Sequence, residues 1–278
     1  MKMNKIESKF HKTMAKLVSK SVGQKRSIAI FSLKRSGQHA VIDWILDNSS
    51  KSYLFLNDVR MNCDPFFNMN GVTPFKSNRA LLYFPNSMVK KMLPRHLLAY
   101  NFEDPDIEQV FCVNKNIGHS GRHDNVLVLR DIFNCFASRR RGLLHFKESS
   151  RVSFLIKDLW KKHAREFLGI TSYLGENCIK ISYNDFVFDE KYRTSCAKYL
   201  NINNIELSKK QTREGGGSSF CNDENLNFSD LMVRFRDLYG VDYIKNIFKN
   251  DRELFDLNFK IFGKTLANYK NEILRYFK

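Results

Sequence analysis

The chain predicts a three-layer α/β/α fold around a largely parallel sheet, and three features of its sequence lead there. Short apolar runs of strand length alternate with longer segments of helical periodicity. One run, Ile28-Ala29-Ile30-Phe31, passes through a basic turn, Ser32-Leu33-Lys34-Arg35-Ser36-Gly37, into a segment where Val41, Ile42, Trp44, Ile45 and Leu46 fall at near-helical spacing. Another, Val126-Leu127-Val128-Leu129, runs directly into Arg130-Asp131 and a helix carrying Phe133, Phe136 and Ala137. Strands apolar throughout belong to sheets covered on both faces. Ligands of such sheets bind beyond the C-terminal ends of the strands.

Taken in order, residues 1–24 form a basic helix or tail, with Ile6, Phe10, Met14, Leu17 and Val18 on one stripe, suited to an anionic membrane surface. Residues 25–278 read as a single domain. Tyr53 to Leu56 is a second strand, and residues 57–80, rich in Asn and Pro, form a long irregular excursion. Leu81 to Phe84 is a short apolar run and Ser87 to Leu93 is helical. Arg95 to Tyr100 is a strand leading into Asn101-Phe102-Glu103-Asp104-Pro105. Gln109 to Val113 is read as a further strand, and Asn114 to Asn125 as a polar loop. Beyond Leu129, residues 151–168 are helical, Cys178 to Ile181 is a strand and Tyr192 to Leu200 a helix. Residues 208–227 form a polar loop, and helices follow from Ser229.

Charge narrows the function. Lys and Arg number 46 against 29 acidic residues, a net +17, which predicts an anionic partner. The first 26 residues hold eight basic residues against Glu7 alone, so +10 remains beyond them. The 24 phenylalanines predict an aromatic core. The six cysteines make no C-x-x-C pair, and His119-x-x-x-His123 lacks the third ligand a metal site needs, so no metal is expected. No apolar run reaches the length of a membrane span, and the expected location is cytoplasmic. No nucleic-acid module is visible.

The turn after the first strand carries the chemistry. N–H groups at a helix N-terminus and the helix dipole favour an anion. Lys34 and Arg35 add full charges, and Gly37 allows close backbone approach. A Walker A sequence is absent: the glycine is single and the basic pair precedes it. Arg130 stands at the end of its strand, and Ser138 follows eight residues later, just over two turns at about 3.6 residues each, so an arginine and a hydroxyl are placed to share one phosphate.

These two elements in this order resemble the sulfotransferases that use 3'-phosphoadenosine-5'-phosphosulfate (PAPS), whose fold is related to that of P-loop nucleoside triphosphatases. The resemblance implies that Lys34, Arg35, Ser36 and Gly37 hold the 5'-phosphosulfate. Gln38 and His39 stand where the family usually has two hydroxyl residues. It further implies that Arg130 and Ser138 hold the 3'-phosphate, with Ile132 replacing the usual proline, and that Arg213-Glu214-Gly215 is a closing loop in which Arg213 and Gly215 meet the nucleotide. Residues 229–263 resemble the family's helical tail. Lys34 and Arg35 would stabilise the transferring group, and Glu103 or His119 would be the general base. The implied acceptor is a hydroxyl or amine, an acidic glycan among the candidates. The product nucleotide is 3',5'-adenosine bisphosphate. A P-loop-type kinase and a non-catalytic nucleotide- or polyanion-binding protein stay open on the same residues. Arg139-Arg140-Arg141 reads as a solvated face or as an attraction for an acidic acceptor.

Overall fold

The computed structural model describes residues 24–48, 53–61, 71–73, 97–110, 120–142, 150–202 and 228–278. A six-stranded sheet is built from β1 (Gln24–Ser32), β2 (Tyr53–Asn57), β3 (Gly71–Thr73), β4 (Leu97–Glu103), β5 (Ser120–Leu129) and β6 (Ile179–Ser182), in the order β3-β2-β4-β1-β5-β6. β2 and β4 pair in parallel with Tyr53 opposite Leu97, and β3 returns antiparallel on β2 with Phe55 opposite Thr73. The other five strands run parallel, and helices flank them, as the alternation of runs predicts.

The chain divides into two compact units. Among the described residues, one holds β1 to Phe31, β2, β3, β4 and β5 to Val126. Ile28, Ala29, Ile30 and Phe31 are fully buried, as are most residues of β4, which is why these strands are apolar almost throughout. Phe31 stacks on Phe102 with centroids 5.0 Å apart, and Tyr100 meets Phe102 edge-on at 5.6 Å.

Three readings are corrected in this part of the chain. Ser120 to Asn125, expected in a loop, begins β5. Its polar residues are satisfied against the neighbouring strand: Arg26 pairs with Asp124, and Ser27 Oγ lies 2.8 Å from His123 Nδ1. Gln109, expected in a strand, closes the short 3-10 turn Ile107–Gln109. The excursion expected to be irregular contains β3.

The second unit holds, among the described residues, Ser32–Asn48, Asp104–Glu108 and the chain from Leu127. Its helices are α1 (Gln38–Asp47), α2 (Ile132–Gly142), α3 (Ser150–Phe167), α4 (Tyr183–Phe188), α5 (Glu190–Leu200), α6 (Asp242–Phe248), α7 (Arg252–Phe262) and α8 (Lys270–Phe277). Phe133 of α2 is the centre of its core, with ring centroids 5.3 Å from Phe248, 5.6 Å from Phe255 and 5.1 Å from Phe277. Trp44 is buried against Phe186. Cys135, Cys178 and Cys196 are buried free thiols. No described helix is long and apolar enough to cross a membrane.

The expectations for residues 1–23, for the runs at 81–84 and 87–93, and for His119, Arg213 and Gly215 fall outside the described residues.

Candidate functional site: an anion cradle at the end of the first strand

β1 ends at Ser32 and Leu33 is buried, which anchors the turn at its start. Ser36 N–H donates to Leu33 O at 3.1 Å, closing a four-residue turn. Arg35 and Gly37 both take left-handed backbone, with φ of 69° and 85°. Glycine adopts this region freely, whereas arginine is strained there. Gly37 is the N-cap of α1, no side chain caps the helix and its first turn holds no acidic residue. The positive end of the helix dipole is therefore not offset by a carboxylate there. Lys34 is exposed and Arg35 half-buried. Ser36 is 1% exposed, and its Oγ has no hydrogen-bond partner. A buried hydroxyl left so costs about 1–3 kcal/mol unless a ligand satisfies it.

The second motif lies against this turn. Lys34 O accepts from Arg139 Nη1 at 3.2 Å and from Cys135 Sγ at 3.7 Å, so α2 docks directly on the turn. Burial pushes the Cys135 thiol up to about 12, which keeps it an uncharged packing group. Arg130, 3% exposed, donates from Nη2 to Leu231 O at 2.7 Å, while its buried Nε has no partner. Its guanidinium carbon sits 5.5 Å from the centre of the Tyr183 ring. The same ring fills the space beside Gly37, where an added Cβ would overlap it. Tyr183 thus touches both motifs, which lie about a hundred residues apart in sequence.

Asp131 and Asn134 hold the start of α2. Asp131, fully buried, accepts from Asn134 N–H at 2.9 Å and from Asn184 Nδ2 at 3.1 Å. Asn134 in turn donates to Met232 O and accepts from Phe235 N–H. Asn258 Oδ1 accepts from Ile132 N–H at 3.0 Å. Asn134 and Ser138, four residues apart, follow one face of α2, and Arg130 stands between β5 and the start of that helix. Ser138 is 4% exposed.

Other predicted residues are placed differently from one another. Gln38 is buried and its side-chain oxygen accepts from Ser32 Oγ, so its amide is engaged at the strand end. His39 is half-buried on the first turn of α1. Glu103, half-buried, is the last residue of β4 and belongs to the other unit. The triple arginine is not one solvated face. Arg139 is 4% exposed and ion-paired to Asp104, while Arg140 is exposed and donates to Asp237 O. Among the described residues no group of His, Cys, Asp or Glu could hold a metal ion.

No family model matches the chain, and no curated protein does. Solved structures similar to it include the following two. Both are sulfotransferases. The sulfotransferase domain of the olefin synthase of Synechococcus PCC 7002 is 13% identical, with a TM-score of 0.40 over 75% of this chain and 83% of that one. Mouse sulfotransferase SULT7A1 complexed with PAP is 9% identical, with a TM-score of 0.41 over 88% of this chain and 92% of that one. Values this low leave the functional assignment to the chain's own residues.

Sequence reasoning missed Tyr183, Asp104 and Arg139. Tyr183 follows β6 directly and precedes Asn184, a signal only in its place at a strand end. Asp104 donates its N–H to Ser32 O at 3.0 Å and accepts from Lys34 N–H at 2.9 Å. The following residue, Pro105, offers its carbonyl to His163 Nε2 at 2.9 Å. A carbonyl accepts, so Nε2 carries the hydrogen, and the buried Nδ1 is bare.

Burial lowers the pKa of His163 from 6.5 despite the nearby Asp104, Asp106 and Glu166. The unfolded chain then binds a proton that the fold refuses. His163's contribution to stability is complete above pH ~6.5 and falls as pH drops towards the folded value, by up to about 1.4 kcal/mol per pH unit. We expect the melting temperature to fall below pH ~6.5 and His163→Gln to flatten part of that fall. Its His123 counterpart, also lowered by burial, leaves the remainder. An unchanged profile in His163→Gln would remove His163 from the account.

Proposed function

We propose that this chain is a sulfotransferase that moves the sulfuryl group of PAPS to a hydroxyl or amine acceptor. The observation that carries the reading is the contact of Tyr183 with both Gly37 and Arg130. Each motif also holds a buried polar atom without a hydrogen-bond partner, Ser36 Oγ in the turn and Arg130 Nε after β5. A nucleotide with phosphate at two ends answers both.

Ser36 Oγ and the N–H groups at the start of α1 bind the 5'-phosphate. Lys34 and Arg35 stabilise the charge that builds as the bond from sulfur to the bridging oxygen breaks, in the way cationic clamps act in phosphoryl transfer. Arg130 and Ser138 bind the 3'-phosphate and so select this donor. Glu103 or His119 takes the acceptor's proton, each assigned from its place in the sequence. Arg213 and Gly215 would complete the nucleotide site. The basic excess of the chain favours an acidic acceptor such as a sulfate- or carboxylate-bearing glycan.

The test is calorimetric titration with 3',5'-adenosine bisphosphate, 5'-AMP and ATP, with and without magnesium. We expect the bisphosphate to bind at least about tenfold more tightly than 5'-AMP without metal, given the strength of charge-assisted bonds. Preference for magnesium-ATP would instead favour a kinase, and no nucleotide binding would sink the reading. With an acceptor in hand, loss of turnover with bisphosphate affinity kept in Glu103→Gln assigns the base to Glu103, and near-normal turnover leaves His119.

A further inference from the structure

We propose that Asp104 and Arg139 form a charge-neutral clamp that sets the backbone of the cationic turn, with Asp104 acting as a positioning residue that never touches the ligand. Both main-chain polar groups of Lys34 are held by this pair. Its N–H donates to Asp104 Oδ1, and its carbonyl accepts from Arg139 Nη1. Asp104 also donates its own N–H to Ser32 O, so it grips the chain on both sides of Leu33. The two side chains close on each other with Arg139 Nη1 2.9 Å from Oδ1 and Nη2 3.1 Å from Oδ2, a fork-to-fork pairing that fixes orientation as well as distance.

The clamp is itself anchored. The loop from Asp104 is tied to α3 through the Pro105 carbonyl on His163 and through Lys162, whose Nζ lies 3.0 Å from Asp106 and 2.7 Å from Glu108. The turn needs such support because Arg35, next to the clamped residue, stands in left-handed backbone. The electrostatics fit a support and not a ligand. A lone carboxylate beside an anion cradle would repel the anion, and a lone buried arginine would attract any anion. Paired, the two add no net charge to the turn.

The proposal rests on the donor-site reading only for its ligand arm, so two measurements are paired. In hydrogen exchange without ligand, Asp104→Ala is expected to speed exchange of the 32–38 segment at least about tenfold while leaving 126–130 protected. Unchanged exchange at 32–38 overturns the clamp, and equal acceleration at 126–130 does so too, because Asp104 would then be a general fold residue. In titration, Asp104→Ala is expected to weaken bisphosphate binding at least about tenfold, and Asp104→Asn, which keeps an acceptor for the Lys34 N–H, to recover most of it. Wild-type affinity in Asp104→Ala overturns the clamp. If Asp104→Ala does not fold, Arg139→Gln carries both readouts under the same criteria. Wild-type protein that fails to bind the bisphosphate refutes the donor reading, and the exchange result then decides the clamp alone.

Discussion

Arg130→Ala is expected to reduce affinity for 3',5'-adenosine bisphosphate by about 10- to 100-fold, the range of one or two charge-assisted hydrogen bonds. Affinity for 5'-AMP should barely change, because the role proposed for Arg130 is at the 3'-phosphate. Arg130→Lys should not restore the loss. One ammonium cannot donate to Leu231 O, as Nη2 does, and also present a planar fork to a phosphate. Parallel titrations of both nucleotides check this. An equal loss for the two would mean that Arg130 supports the site as a whole and does not read the 3' end.

Gly37→Ala is the second large effect. The added methyl meets two obstacles: a φ of 85° and the Tyr183 ring. Left-handed backbone and overpacking together should cost about 2–4 kcal/mol, read as a shift of the urea midpoint. Moving the ring also takes it from Arg130, so bisphosphate binding should fall with stability. Pairing the change with Tyr183→Ala removes the overlap but not the backbone strain, and should recover part of the stability. A Gly37→Ala protein as stable as wild type would show that the turn and ring can separate freely.

The parts of this site that were legible in the sequence are those made by neighbours in the chain. Ile28 to Phe31, the basic turn and the helix after it are contiguous, and the apolar period of each is plain. Arg130 was legible for the same reason, at the end of an unbroken apolar run. What was hidden depends on partners far along the chain. Arg139 looks like one of three solvated arginines until Asp104, 35 residues earlier, is folded against it. That the Gln38 side-chain oxygen accepts from Ser32 Oγ is not visible in the sequence either. The first half of β5 looks like a loop because its polar residues are satisfied by Arg26 and Ser27, almost a hundred residues upstream. Tyr183 bears no sign of its role in its own surroundings.

The amide at the head of α2 has its acceptor 126 residues downstream, on Asn258, and the ring at the heart of the same helix stacks on Phe277. A ribosome delivers those partners more than a hundred residues after the helix they complete. While residue 258 is still in the exit tunnel, the basic turn and Arg130 already exist as sequence, but the helix that fixes Arg130 starts on an unmet N–H and an uncovered phenylalanine. The cationic residues are therefore made well before the partners that fix the start of α2, and a nascent chain carries them through that interval without the finished fold around them.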